Sequence, residues 1–203
     1  MREAIRRIDL SDDRRWDAMN NLYVAAKEIS DFMASRKWKF CIIGGLAVIR
    51  WGEQRQTRDV DLSLLAGFGE EERYANELLG AFPSRVSNAL EFALRNRVIL
   101  LKASNGAPMD VSISGLPFEK RVIRRATPFE YAPGYALSTC SAEDLIVLKA
   151  FADRPRDWLD IEMIKVRQKN KIDWAQVLRE FAPLASLKEA PEIVEKVRRI
   201  ART

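Results

Sequence analysis

Asp59 and Asp61, in Thr57-Arg58-Asp59-Val60-Asp61-Leu62, and the doublet Gly44-Gly45 thirteen residues upstream are the residues whose types and spacing could do chemistry. Val60-Asp61-Leu62-Ser63-Leu64 alternates apolar with polar, which is strand periodicity, and alternate strand residues point to one face. Asp59 and Asp61 therefore project side by side. Two bare carboxylates that close repel each other, and nothing in the local sequence neutralises both. A divalent cation resolves the conflict, because Mg²⁺ binds through a few carboxylates plus substrate phosphates. Gly44-Gly45 stands between an apolar run at 39–43 and a helical run at 46–51. Backbone N–H groups at such a helix start favour a phosphate, and the missing side chains permit close approach. Asp-x-Asp alone is also what a solvated edge strand carries.

The rest of the composition narrows the chemistry. Histidine is absent, which removes Ser-His-Asp and Cys-His nucleophiles and most catalytic zinc sites. What remains is carboxylates, Lys, Arg, hydroxyls or a hard metal ion. Cys41 and Cys140 lie in apolar surroundings with no metal-ligand spacing, which argues for a reducing compartment and against a disulfide framework. The longest apolar run, at 40–49, has ten residues, far short of the roughly 18 of a membrane span. Residues 1–7 lack the apolar core of a signal peptide. The chain reads as cytoplasmic, with no membrane partner. Its net charge of +5, from 34 basic and 29 acidic residues, is compatible with a nucleotide or RNA partner without demonstrating one.

The elements that must position these residues follow from periodicity. The 203 residues, 47% hydrophobic and 31% charged, suit one globular domain or one domain with a helical extension. Trp16, Met19, Leu22, Tyr23, Ala26 and Ile29 recur at helical spacing over 11–36, with Ser11 or Asp12 available as N-cap. Helices are expected at 70–82, 88–95 and 118–125, and strands at 97–103 and 109–113 joined through Asn105-Gly106, a hairpin signal. Short strands and turns are expected over 127–137. From Ser141 the chain turns helical: Ser141-Ala142-Glu143-Asp144 has a capping-box pattern, Pro155 fits a first helical turn, Asp173 can cap a third helix, and 189–202 forms a fourth. The expected fold is α/β (α+β). It comprises a small mixed or antiparallel sheet with helices on one face over 1–138, and a helical region over 139–203 that completes a cleft.

An apolar residue, a glycine doublet, a spacer of about a dozen residues and Asp-apolar-Asp-apolar together resemble the DNA polymerase β-like nucleotidyltransferase superfamily. That resemblance implies a third carboxylate on a neighbouring strand. Asp110, in Pro108-Met109-Asp110-Val111-Ser112, is the best match, although it could simply flank a hairpin. It also implies that Asp59, Asp61 and Asp110 bind Mg²⁺, with Mn²⁺ as a substitute, and that Gly44 and Gly45 hold the triphosphate of an NTP; Arg58, which with Arg55 flanks the site in the sequence, is a further candidate for holding phosphates. Many members carry Ser at the second glycine position, so Gly45 can contact phosphate through its backbone alone.

The segment from Ser141 through Phe151, and then Asp153-Arg154-Pro155-Arg156-Asp157-Trp158-Leu159-Asp160-Ile161, is similar to the abortive-infection toxin branch, the AbiEii/AbiGii type. There a lysine on the first of these helices and an aspartate on the next complete the site. This implies that Lys149 contacts the triphosphate and that Asp160 is the extra carboxylate, with Asp157 as its rival. Asp160 falls in the row Asp157, Asp160, Ile161, Ile164 and so borders the inward face, where an unpaired carboxylate is costly. The competing readings are a solvated Lys149 paired with Glu143 or Asp153, and an Asp160 paired with Arg156 one turn away.

The resemblance implies an enzyme that moves NMP from an NTP to a hydroxyl on a tRNA 3′ end or a protein side chain, opposed by a cognate antitoxin. A small-molecule acceptor, as in antibiotic-modifying relatives, and a binding module without turnover are the alternatives.

Overall fold

The computed structural model describes residues 13–202, with side chains from residue 19 onward. The N-cap expected at Ser11 or Asp12, the side chain of Trp16 and the segment 1–7 lie outside the described residues. Helix α1 (Asp13–Ser35) buries Met19, Leu22, Tyr23, Ala26, Ile29 and Met33 along one stripe, as the three- and four-residue spacing requires. Strand β1 (Phe40–Ile42) runs into α2 (Gly44–Trp51), and β2 (Val60–Leu65) follows after a loop. Helices α3 (Glu71–Ala81) and α4 (Ala89–Asn96) precede the antiparallel hairpin of β3 (Val98–Lys102) and β4 (Pro108–Ser114). Gly106 turns that hairpin at φ +81°, the left-handed conformation its Asn-Gly signal predicts.

Helix α5 (Pro117–Arg125) and the hairpin of β5 (Thr127–Glu130) and β6 (Ala136–Thr139) complete the sheet. Helices α6 (Ala142–Ala152), α7 (Pro155–Gln168), α8 (Trp174–Leu187) and α9 (Glu192–Arg202) follow. The expected caps are in place: Ser141 Oγ accepts from the Asp144 N–H, and Asp173 from the Gln176 N–H. Among the described residues no helix is long and apolar enough to cross a membrane.

The sheet is mixed, in the order β3-β4-β2-β1-β6-β5. Its β2–β4 and β1–β6 neighbours are parallel, and its other pairs antiparallel. One face carries Val60, Leu62 and Leu64 of β2 and Met109, Val111 and Ile113 of β4, buried under α1, α3 and α4. Cys41 and Cys140, at the middle of the sheet, pack into a second cluster with α2 and α5 through α9. Helices therefore cover both faces, which corrects the expectation of helices on one. The physical reason lies in β1: a central strand apolar on both sides, Phe40-Cys41-Ile42, needs cover on both.

An ion-pair network fastens the helical region to the sheet layer. Arg125, ending α5, donates to both oxygens of Asp144 on α6 at 2.9 and 2.5 Å, and to Glu180 on α8 at 2.9 Å. Arg121 also donates to Glu180, at 2.6 Å. Asp144 is wholly buried, so Arg125 is what makes its charge tolerable there. Arg125→Met is expected to destabilise the protein by about 3 kcal/mol or more, since half of a buried pair remains uncompensated. Arg125→Met combined with Asp144→Leu should recover most of that loss. Urea unfolding of the two variants checks both expectations, as shifts in midpoint at constant slope.

Candidate active site

The site is built by strand register. Asp61 of β2 pairs directly with Asp110 of β4 in the parallel ladder. Because Val60, Leu62, Met109 and Val111 are held in the core, both aspartates must face the opposite side. Asp59 sits in a bend one residue before β2 rather than on the strand itself, yet its carboxylate still turns toward the same point. Oxygens of Asp59, Asp61 and Asp110 lie within 4.8 Å of one another.

Burial, followed by the Asp59 carboxylate, pushes Asp61 up to about 6, against the pull of the Gly45 N–H that Asp61 Oδ2 accepts at 3.3 Å. Asp110 is also raised by burial, with Arg85 opposing the shift. Three converging carboxylates, with Arg85 the one bonded cation among the described residues, form a hard, oxygen-only donor set. That set fits a divalent ion of the Mg²⁺ or Mn²⁺ kind.

The glycine doublet forms the first turn of α2 rather than a turn ahead of it. Gly44 has φ +60°, and a Cβ there would lie 1.9 Å from Asp61 Oδ2. A Cβ on Gly45 would lie 2.1 Å from Oγ1 of Thr57, whose hydroxyl in turn donates to Asp59 Oδ1 at 3.4 Å. Glycine is thus required here so that a helix N-terminus can sit directly against the carboxylate strand, in addition to leaving room for a ligand.

A cleft of about 340 Å³ opens in front of the cluster. Gly44, Gly45, Thr57, Arg58, Asp59, Asp61 and Asp110 line it on one side, and Lys149, Arg154, Arg156 and Asp157 on the other, with Arg55 between them. Lys149, on α6, is 6% exposed. Its Nζ reaches Asp157 Oδ1 at 3.1 Å and Asp160 Oδ2 at 2.6 Å.

Asp160 takes a fork from Arg55 as well, at 2.8 and 3.0 Å. Burial raises Asp157, but the Arg154 bond at 2.6 Å and Lys149 more than offset this and hold it below the usual carboxylate range. Helix α7 also anchors the loop that leads to Asp59: Arg156 donates to Gln56 O, Arg167 to Gly52 O and Gln168 to Trp51 O.

The structure brings Asp59, Asp61, Asp110, Gly44, Gly45, Arg58 and Lys149 to one cleft, with Asp157 beside them. Asp160 does not line the cleft; it lies behind Lys149. Neither competing pairing, of Lys149 or of Asp160, is formed. Lys149 pairs with Asp157 and Asp160 rather than Glu143 or Asp153, and Arg156 bonds Gln56 rather than Asp160. Trp51, the last residue of α2, donates its indole N–H to Cys140 O and packs against the second core cluster. Arg85 is the residue that sequence reasoning missed. It is bonded to Asp110 Oδ1 from a segment 25 positions earlier in the chain, and no local pattern announces that contact.

The family of the nucleotidyl transferase AbiEii toxin of type IV toxin–antitoxin systems matches residues 38–185. The chain belongs to that family. It is a nucleotidyltransferase, and the matched span contains every residue of the cleft. No curated protein matches the chain. Among solved structures, an antigenic nucleotidyltransferase-like protein from Paracoccidioides brasiliensis is 14% identical, over 89% of this chain and 94% of that one, with a TM-score of 0.52; it shows the shared fold. The antibiotic-resistance factor ANT(2″)-Ia, in complex with adenylyl-2″-tobramycin, is 17% identical over 84% and 97% of the two chains, with a TM-score of 0.49. The lincosamide antibiotic adenylyltransferase LnuA, with lincomycin bound, is 16% identical over 68% and 92%, with a TM-score of 0.47.

Two expectations follow from this geometry. Gly44→Ala should cost at least about 2 kcal/mol, since it combines left-handed backbone strain with a collision against Asp61; thermal unfolding reads the loss. For Asp61, the folded state holds the proton more tightly than the unfolded chain does. Its contribution to stability therefore falls as pH rises from about 4 to about 6. In metal-free buffer Asp61→Asn should melt a few degrees above the parent at pH 7.5, and the gain should shrink toward pH 5. Melting curves at the two pH values in chelator measure it.

Proposed function

We propose that this nucleotidyltransferase is a Mg²⁺-dependent enzyme, with Mn²⁺ as a substitute. It moves NMP from an NTP to a hydroxyl acceptor, the 3′ end of a tRNA ahead of a protein side chain. The observation that carries the reading is the in-register pair Asp61 and Asp110, joined by Asp59, facing a cleft whose other side is Lys149 and arginines.

Asp59, Asp61 and Asp110 are the residues that would hold the divalent cation, which when bound supplies activation of the acceptor hydroxyl and neutralisation of the departing pyrophosphate. Gly44 and Gly45 offer the start of α2 to the triphosphate without side chains in the way. Lys149 has three N–H donors; Asp157 and Asp160 take two, which leaves one to aim at a phosphate oxygen. Asp160 acts through Lys149 and Arg55 as a positioning residue, and Asp157 orients Lys149 from the cleft side. Thr57 orients Asp59. Arg58, Arg154 and Arg156 form a cationic rim suited to phosphates of the nucleotide or of an RNA acceptor. No group in the site needs histidine, because catalysis rests on positioning and electrostatics.

The sheet-bearing segment 1–138 supplies the carboxylates and the segment 139–203 the opposing wall. Membership of a toxin family supports a cytoplasmic role opposed by a cognate antitoxin. The basic rim and the +5 net charge favour RNA over protein as the acceptor.

The test is transfer of label from each of the four α-labelled NTPs, with Mg²⁺, into total tRNA and total cell protein. Label in tRNA that disappears with Asp61→Asn establishes the reading; label in protein shifts the acceptor class. A Mg²⁺-NTP melting shift without any transferred label would instead leave a binding module or a small-molecule acceptor. Lys149→Met is expected to reduce kcat/KM by about 100-fold while leaving the fold intact by circular dichroism.

A further inference from the structure

Beside the three aspartates stands a cation that the proposed mechanism does not use. The segment around Arg85 is stitched to the outer edge of β3: the Arg85 N–H donates to Leu100 O at 2.9 Å, and the Lys102 N–H to Pro83 O at 2.8 Å. Ser84 Oγ braces the same segment by donating to Val86 O at 2.9 Å. From this anchored backbone the Arg85 side chain crosses β3. Its Nε donates to Leu101 O at 3.1 Å, and its Nη2 to Asp110 Oδ1. Among the described residues, Asp59 and Asp61 have no ion-pair partner, and Arg85 is the one cation bonded to the cluster. It does not line the cleft. It meets Asp110 from the β3 edge, while Lys149 and the arginines of the rim stand on the opposing wall.

A guanidinium fixed at one oxygen of Asp110 has two consequences. It consumes acceptor capacity that a metal ion would otherwise use, leaving Asp110 Oδ2 as its free oxygen. It also places a permanent positive charge a few ångströms from any ion held between the aspartates, because arginine does not deprotonate. The Nε bond to Leu101 O and the paired backbone keep it from swinging away at no cost. At such separations a like charge weakens divalent-cation binding on the order of tenfold, even with substantial screening. A triphosphate brings several negative charges into the cleft and offsets that penalty.

We propose that Arg85 is a positioning residue that makes metal loading depend on the nucleotide. By holding Asp110 Oδ1 it keeps the nucleotide-free cluster's affinity for divalent cations low, so that the carboxylates are filled when NTP arrives. The inference rests on the metal-holding role proposed above for Asp59, Asp61 and Asp110. It adds a residue that no motif marks, and a reason for the enzyme to avoid retaining metal when idle.

The test is calorimetric Mn²⁺ binding to the full chain, with and without a non-hydrolysable NTP analogue, for the parent, Arg85→Gln and Arg85→Lys. Without nucleotide, Arg85→Gln should bind Mn²⁺ about tenfold more tightly than the parent, and Arg85→Lys should remain near the parent. With the analogue the difference should fall to about twofold or less. Melting temperature and circular dichroism check that each variant folds. Unchanged or weaker Mn²⁺ binding by folded Arg85→Gln overturns the inference and leaves the nucleotidyl-transfer reading standing. Should Arg85→Gln fail to fold, the parent still decides: equal Mn²⁺ affinity with and without the analogue overturns the inference. Absence of Mn²⁺ binding by the parent under both conditions removes the metal-holding role and the inference together.

Discussion

Repulsion among Asp59, Asp61 and Asp110 is the constraint around which the rest of this molecule is arranged. The aspartates cannot relax apart by rotating side chains, because the register of β2 against β4 holds Asp61 and Asp110 abreast. That register is held in turn by the apolar residues on the other face of the same strands. Slipping one strand by a single residue would drive an aspartate into the core and a valine or leucine into the cleft. The hydrophobic core thus enforces an electrostatically costly arrangement, and the surroundings moderate it: the Gly45 N–H at Asp61, the Thr57 hydroxyl at Asp59 and the Arg85 guanidinium at Asp110.

The opposing wall solves the converse problem. Lys149 is nearly buried, which an ammonium tolerates only with partners, and α7 supplies two acids one turn apart to hold it. Those acids are themselves shared with Arg55 and Arg154, so the wall is a network rather than a row of separate pairs. Through Arg55, Gln56, Gly52 and Trp51 the same helix fixes the loop that delivers Thr57, Arg58 and Asp59. A second network, through Arg125, Asp144 and Glu180, locks the helical region against α5. Buried ion pairs add little net stability, but each is costly to half-break. Here they tie α5 to α6 and α8, and tie α6 and the loop before β2 to α7.

Much of this was legible in the chain, and the reasons are local. Met19 through Ile29 announced α1 by spacing, Asn105-Gly106 announced the β3–β4 hairpin, and Ser141 and Asp173 announced helix starts, because these signals act over a few residues. Asp61 was readable because strand alternation and a glycine doublet lie close in sequence. Asp110 needed the resemblance, since its alternation shows a face but not a neighbour. Asp160 was placed correctly on the inward side of α7 by periodicity. Its partners, Arg55 and Lys149, come from two other elements, and so the choice between ligand and brace could not be made from the row alone. Arg85 was illegible throughout: Ser84-Arg85-Val86 has no pattern, and its importance arises from pairing with an edge strand and reaching across it.

The sequence by itself determined which groups are available, namely carboxylates without histidine, two glycines at the start of a helix, and the order of strands and helices that carries them. These are fixed by residue type and short-range periodicity, which tertiary context here left intact. Only the tertiary structure decided which carboxylates share a point in space, which cation neutralises which anion, and that helices cover both faces of the sheet. Those outcomes depend on strand order and on contacts between residues as far apart as Arg55 and Asp160, and no one-dimensional spacing encodes a distance across a folded core.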